Sequence, residues 1–231
     1  MDQFFSAFLF FGVFLSVGCY QIGLLCKRKW NVPVCNPLLI AIILNILILL
    51  VTGISYETYF ASTGPLTFLL TPATVCLAIP LYQQIQLLKQ HWGAILIGIT
   101  AGVSASLLSI WAFSSLFHLS IAQYISLLPK SITTAIGLEL SGEFGGIPAF
   151  TAAAIIVTGI FGNIIAESLC KLLRLKHPIA RGLAIGCASH AIGTTKALEM
   201  GETEGAMSSL AIALSGILTT VLLPFFVNLP L

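Results

Sequence analysis

Charge is what this sequence has least of. Asp, Glu, Lys and Arg together make up 8% of its 231 residues, hydrophobic residues make up 58%, and mean hydropathy is +1.04. A soluble domain carries roughly a quarter charged residues to keep its surface wet. This chain cannot cover such a surface, so lipid is the solvent that fits it. Also missing are a basic segment ahead of the first apolar run, any CxxC pair, and any GxSxG, HExxH or P-loop motif. Without the basic segment, the first run reads as a retained span rather than a cleaved signal. Without CxxC, Cys19, Cys26, Cys35, Cys76, Cys170 and Cys187 stand scattered among apolar residues, where Cys acts as a small hydrophobe. Neither a disulfide framework nor a metal site is expected. Without the motifs, no enzyme activity is expected. The basic residues form only Lys27, Arg28 and Lys29 and the looser set Lys171, Arg174, Lys176, His177 and Arg181, which suit membrane loops better than a nucleic-acid surface.

What is present divides into apolar runs. The first runs from about Phe4 to Cys26 and ends in the basic triplet, so the N-terminus is expected outside and the triplet in the cytoplasm. The second covers about Pro37 to Thr52. A third segment, Thr58 to Leu88, is free of charge but interrupted by Pro65, Pro72 and Pro80. Proline removes a backbone donor and crowds the preceding turn, so this segment is expected kinked or broken. Trp92 to about Phe113 makes a fourth span and returns the chain outside near His118.

The next basic loop, Lys171 to Arg181, belongs in the cytoplasm, which requires an odd number of crossings from His118. Two apolar stretches lie between. The simplest resolution is that the first, Ala122 to Gly146 with its Pro, Gly, Ser and Thr, enters and returns on one side. The second, Pro148 to Leu169, then crosses. Gly182 to Leu198 is short for a span and rich in Gly, Ala, Ser and Thr, so it reads as a second discontinuous element, entered from the cytoplasm. Gly205 to Pro224 is a final span. The expected fold is an all-α polytopic membrane protein, one domain over 1–231. It has about six transmembrane helices plus two broken or re-entrant elements, with both termini outside. Thr71 to Leu81 and Leu128 to Leu138 share a Pro, a hydroxyl two residues on, and Ala-Ile before a helix-breaker and Leu. That pattern fits an internal repeat of the kind that marks a transporter's site.

Two polar clusters are candidate binding sites. Pro129, Lys130, Ser131, Thr133 and Thr134 place a lysine and three hydroxyls in apolar surroundings, where a charge is costly unless an anion, carbonyls or water meet it. Free N–H groups of a broken helix would complete the shell for an anion. Ser189, His190, Gly193, Thr194 and Thr195 form the second cluster. His190 could carry a proton, Gly193 permits a turn, and Lys196 and Glu199 stand at pairing distance along a helix. Glu139 and Glu143 share a helical face and are expected to be wet, and Glu167 is expected to pair with the basic loop. His91, His118 and His177 read as interfacial or loop residues. Asn36 and Asn45 read as interhelical hydrogen bonders, and Gly159 and Gly162 as points of close helix contact.

The blocks LLPKSITTAIGLELSGEFGGIPAFTA and RGLAIGCASHAIGTTKALEMGETEGAMSSLAI resemble the two signature regions of the LrgB/CidB family of bacterial membrane proteins. NPLL at Asn36 to Leu39 and PLY at Pro80 to Tyr82 also match, and the length is similar to that of the short Gram-negative, YohK-like members. The resemblance covers nearly the whole chain. It departs from the pattern at Ala135, where relatives often have Pro, and at Lys196, where relatives have a GTAR-type ending. It implies a multi-pass protein of the bacterial inner membrane and two functional readings. One is transport of a small monocarboxylate such as pyruvate, glycolate or glycerate, as in the related plant plastid glycolate/glycerate translocator, possible proton coupling included. The other is a holin/antiholin-like modulator of murein hydrolase activity and autolysis with no substrate of its own. The implied partners are a small anionic substrate, an LrgA/CidA-like small membrane protein, the lipid bilayer and further copies of the chain. No cofactor and no nucleic acid are expected.

Overall fold

The computed structural model describes residues 10–30, 36–76 and 78–230. The start of the first expected span (4–9), the connection around Pro33, and Leu77 within the expected repeat lie outside them. The described residues are all-α, and the chain divides into two compact units, 1–76 and 77–231.

The first unit holds α1 (Phe11–Trp30), α2 (Pro37–Thr52), α3 (Tyr56–Ala61) and α4 (Gly64–Cys76). α2 has the bounds read from the sequence because its ends are coded locally. Asn36 caps it by accepting from the Leu38 and Leu39 N–H groups at 2.8 and 3.3 Å, Pro37 opens it, and Gly53 at φ 67° closes it. Asn36 therefore acts as the cap of this helix. Asn45 also bonds within its own helix, Nδ2 donating to the Ala41 carbonyl at 2.8 Å. The proline-bearing segment is broken as expected, and Pro72 is carried inside α4.

The second unit holds α5 (Ala78–Gln83), α6 (Ile85–Leu116), α7 (Ile121–Leu127), α8 (Thr134–Glu143), α9 (Pro148–Leu172), α10 (Pro178–Met200) and α11 (Glu202–Val227). Among the described residues α6, α9 and α11 are long and apolar enough to cross a membrane, and α2 is a shorter apolar helix. α6 kinks at His91 (φ −117°, ψ 16°). Beyond the kink it buries Ile95, Ile99, Val103, Leu107 and Ile110, spaced along one helical face, against Tyr124, Leu128, Ile132, Leu183, Met207 and Leu210.

α10 is a hairpin. His190 interrupts it with φ 42° and ψ −141°. A continuous helix rises 1.5 Å per residue and would hold Arg181 and Met200 about 28 Å apart. Both instead line one pocket of about 260 Å³ with Glu167, Lys196 and Glu199. A Cβ on Gly193 would lie 3.1 Å from Ile185 Cγ2, so the returning arm passes directly over the outgoing one. Gly193 was the residue expected to turn the chain. The turn falls at His190, and Gly193 is the position where the two arms have no room for a side chain.

α7 and α8 form the other hairpin, with 128–133 as its tip. Ser120 and Gln123 cap α7 reciprocally. At the base, Ser126 Oγ accepts from the Ile147 N–H at 2.6 Å, and Thr151 Oγ1 donates to Ser141 Oγ at 2.6 Å. The expected sequence repeat does not extend to local structure, because Thr71 to Cys76 is helix whereas 128–133 is turn.

α11 lies alongside both hairpins. Its first half meets the α10 hairpin: Arg181 pairs with Glu204 at 3.6 Å, and Thr194 Oγ1 and Ser208 Oγ are 2.7 Å apart. Its second half meets the α7–α8 hairpin, where Ser215 and Thr219 share a small void with Leu128, Ser131 and Ile132. Beyond them the Tyr124 hydroxyl donates to the Phe226 carbonyl at 2.9 Å. α9 does the same in the opposite order. Thr151 and Ile155 face α8, while Gly159, Gly162, Asn163 and Glu167 face α10. The two hairpins thus enter from opposite ends of the unit, and their tips meet at mid-length.

Candidate functional site

The tips meet around Lys130 and Cys187. Cys187 borders Ser131 and Ile132 on one side, and on the other a Cβ on Gly102 of α6 would lie 3.3 Å from Cys187 Cβ. Next to this junction a cavity of about 810 Å³ runs between α6 and the outgoing arm of α10. Those two elements are parallel. The His91 and His177 rings are 6.4 Å apart at one end, and Gly98 and Gly102 face Leu183 and Cys187 in turn. Lys130 and Ser131 line the opposite end.

Lys130 Nζ donates to Ser131 Oγ at 3.2 Å, and Ser131 Oγ is 3.2 Å from Ser106 Oγ. Among the described residues no carboxylate forms an ion pair with Lys130. A half-buried cation with hydroxyls and no counter-ion is an arrangement that an anion completes. Pro129 is buried behind it, and its carbonyl accepts from the Ile132 N–H at 3.2 Å to close the tip. Thr133 stands at the cap of α8 without a side-chain bond to it, and Thr134 is exposed. Of the expected site residues, Lys130 and Ser131 line the cavity. Ser106, Ser109, His91 and His177 also line it and were not among the expected site residues. From sequence His91 and His177 read as interfacial or loop residues, and α6 serines look like ordinary span residues until α10 is packed against them.

The second cluster serves the hairpin itself. His190 is 3% exposed, and its Nε2 lies 2.9 Å from the Ile155 carbonyl of α9. A carbonyl only accepts, so Nε2 is the protonated nitrogen in this bond. Ser189 is 3% exposed and sits on Gly162, and the His190 ring sits on Gly159, so both glycines are points of close contact as expected. Thr194 Oγ1 donates to the His190 carbonyl at 2.9 Å. Thr195 Oγ1 receives Asn163 Nδ2 at 2.8 Å, and Asn163 Nδ2 also donates to the Ile192 carbonyl at 2.7 Å. Asn163 is a bracing residue that the sequence did not single out. Ser189, His190, Gly193, Thr194 and Thr195 therefore do not join Lys130 in lining the cavity. They hold a backbone turn whose left-handed φ costs about 1–3 kcal/mol unless its surroundings fix it.

At the open end of the α10 hairpin, Glu167 takes Lys171 at 2.9 Å and Lys196 at 3.1 Å, and Lys196 reaches Glu199 at 3.3 Å. Both expected pairings form, in one network that fastens the returning arm to α9. Glu139 and Glu143 are exposed.

A sequence model of the LrgB-like family matches residues 16–229. The chain belongs to this family. Similar LrgB-like proteins include the antiholin-like protein LrgB of Bacillus mycoides (strain KBAB4) and those of Bacillus cereus (strain B4264) and Bacillus anthracis (strain CDC 684 / NRRL 3495). Each is 39% identical over 218 residues, covering 94% of this chain and 95% of the relative. No solved structure matches the chain. Apolar spans and LrgB membership together make this a membrane protein.

Proposed function

We propose that this LrgB-family protein carries a small monocarboxylate across the bacterial inner membrane, with Lys130 and Ser131 taking the carboxylate. The observation that carries this reading is the meeting of two opposed hairpin tips beside a cavity that ends at an uncompensated lysine. Interrupted helices meeting at mid-depth are how many carriers build a substrate site, because they bring free backbone groups and polar side chains to a place lipid cannot reach. In the same reading the two hairpins are re-entrant, α1, α2, the proline-broken segment, α6, α9 and α11 make six crossings, and both termini face outside. The Lys171 to Arg181 loop, with the cavity mouth at His177, then faces the cytoplasm.

A second reading is favoured by the names of the relatives, which are antiholin-like proteins. In it the chain modulates a holin-like LrgA/CidA partner and has no substrate. The comparison backs this reading more than it backs a particular substrate, while the built site supports the first.

Uptake of labelled pyruvate, glycolate and glycerate into proteoliposomes separates them, run with and without an LrgA-like partner. Saturable flux that Lys130→Ala lowers at least about tenfold is expected, the loss of one charge-assisted contact. No saturable flux of any of the three acids in either setting would leave the antiholin-like reading alone.

A further inference from the structure

We propose that the ligand of the Lys130 cavity is a monocarboxylate with an apolar tail, its carboxylate at Lys130 and its tail along the groove between α6 and the outgoing arm of α10. This rests on the carrier reading and names the substrate class of that same site.

The argument begins with the distribution of polar groups. The cavity's hydroxyls, Ser106, Ser109 and Ser131, gather at the Lys130 end, and its two histidines stand at the other end. Between them the walls are Ala94, Gly98, Gly102, Ala180, Leu183 and Ala184, none with a polar side chain. Ser106 to Ala94 covers twelve residues of α6, about 18 Å of groove. A glycerate or glycolate held at Lys130 would use one end and leave this length to water. The volume of about 810 Å³ lies in the range, about 300–1,000 Å³, of sites that enclose drug-sized ligands. Charge sets the other limit. Among the described residues Lys130 is the one lysine or arginine lining the cavity, so a single carboxylate balances it and a dicarboxylate would bring a second charge into apolar walls. An apolar tail, by contrast, gains roughly fourfold in affinity for each methylene it buries.

The test is direct binding of acetate, butanoate, hexanoate and octanoate to the full chain in a mild detergent by calorimetry, with hexanol as a tail without the charge. Affinity should rise about tenfold or more per two-carbon step until the groove is filled. Lys130→Ala should remove that rise. In Gly98→Val the new Cβ meets only Leu183 Cδ1, at an ordinary 3.6 Å, and the rest of the side chain enters the groove. That variant should cut the octanoate-to-acetate affinity ratio at least tenfold. Equal affinity along the series would overturn the proposal. So would a length gain that survives Lys130→Ala or is matched by hexanol, which would mark a groove for lipid tails. If pyruvate, glycolate or glycerate moves in proteoliposomes without any tail preference, the carrier reading survives and this inference fails. If no acid binds at any length and none moves, both fail.

Discussion

Adding one methyl group to Gly162 should destabilise the α10 hairpin, and removing the side chain opposite should relieve part of the loss. A Cβ on Gly162 would fall onto Ser189 Oγ and 2.6 Å from Ser189 Cβ, while Ser189 Cα is at an ordinary 3.8 Å. Ser189 has little room to retreat, because it is 3% exposed and packs so near Gly193 of the returning arm that a Cβ there would lie 2.5 Å from its own Cβ. Overpacking of this kind costs about 1–3 kcal/mol. For a chain of this size that lowers the unfolding midpoint by about 2–12 °C. Ser189→Ala would not relieve it, since the Cβ remains. Ser189→Gly removes both close atoms at the helix-propensity cost of a glycine, about 1 kcal/mol. The assay is thermal unfolding of the detergent-solubilised protein for Gly162→Ala, Ser189→Gly and the double variant. The double variant should be more stable than the sum of the two single losses by at least about 0.5 kcal/mol. Additive losses, or a Gly162→Ala midpoint equal to wild type, would mean that α9 and the hairpin tip do not touch where the structure puts them.

Asn163→Leu should cost about 0.5–1.5 kcal/mol in the same assay, since it removes the amide that bonds the Ile192 carbonyl and the Thr195 hydroxyl, while the Thr195 hydroxyl still donates to the Ile192 carbonyl. An unchanged midpoint would remove Asn163 from the bracing set. In a cysteine-free chain on intact cells, Phe117→Cys should react with a membrane-impermeant maleimide and Lys176→Cys should react only after permeabilisation. The two positions flank the bases of hairpins that enter from opposite ends. Labelling of both from one side would contradict the opposed arrangement.

How much of this could be read beforehand varied with how local the cause was. α2 was legible to the residue because Asn36, Pro37 and Gly53 act on their own backbone. The two interrupted elements were legible as interrupted, because Pro129, the glycines and an intramembrane charge each violate what a plain span requires. The position of the α10 turn was not. Glycine is the residue expected at a positive φ, yet the chain turns at His190 and uses Gly193, Gly159 and Gly162 for clearance. The grouping of the site also failed to show. No pattern in the chain marks Ser106, Ser109, His91 and His177 as sharing a groove with Lys130, while His190, in the second cluster, faces the Ile155 carbonyl.

By itself the sequence determined that this chain lives in lipid, that it is helical, that the runs now seen as α6, α9 and α11 can span, and which two segments depart from plain spans. These follow from composition and from the rule that backbone groups in hydrocarbon must be paired within their own segment. Only the tertiary structure decided that the second interrupted segment doubles back at His190, that the two tips meet, and that Lys130 closes a groove whose other wall lies some fifty residues later. Those facts depend on contacts between residues distant in sequence. An apolar side chain carries no mark of which neighbour it will bury against, and packing alone settled that.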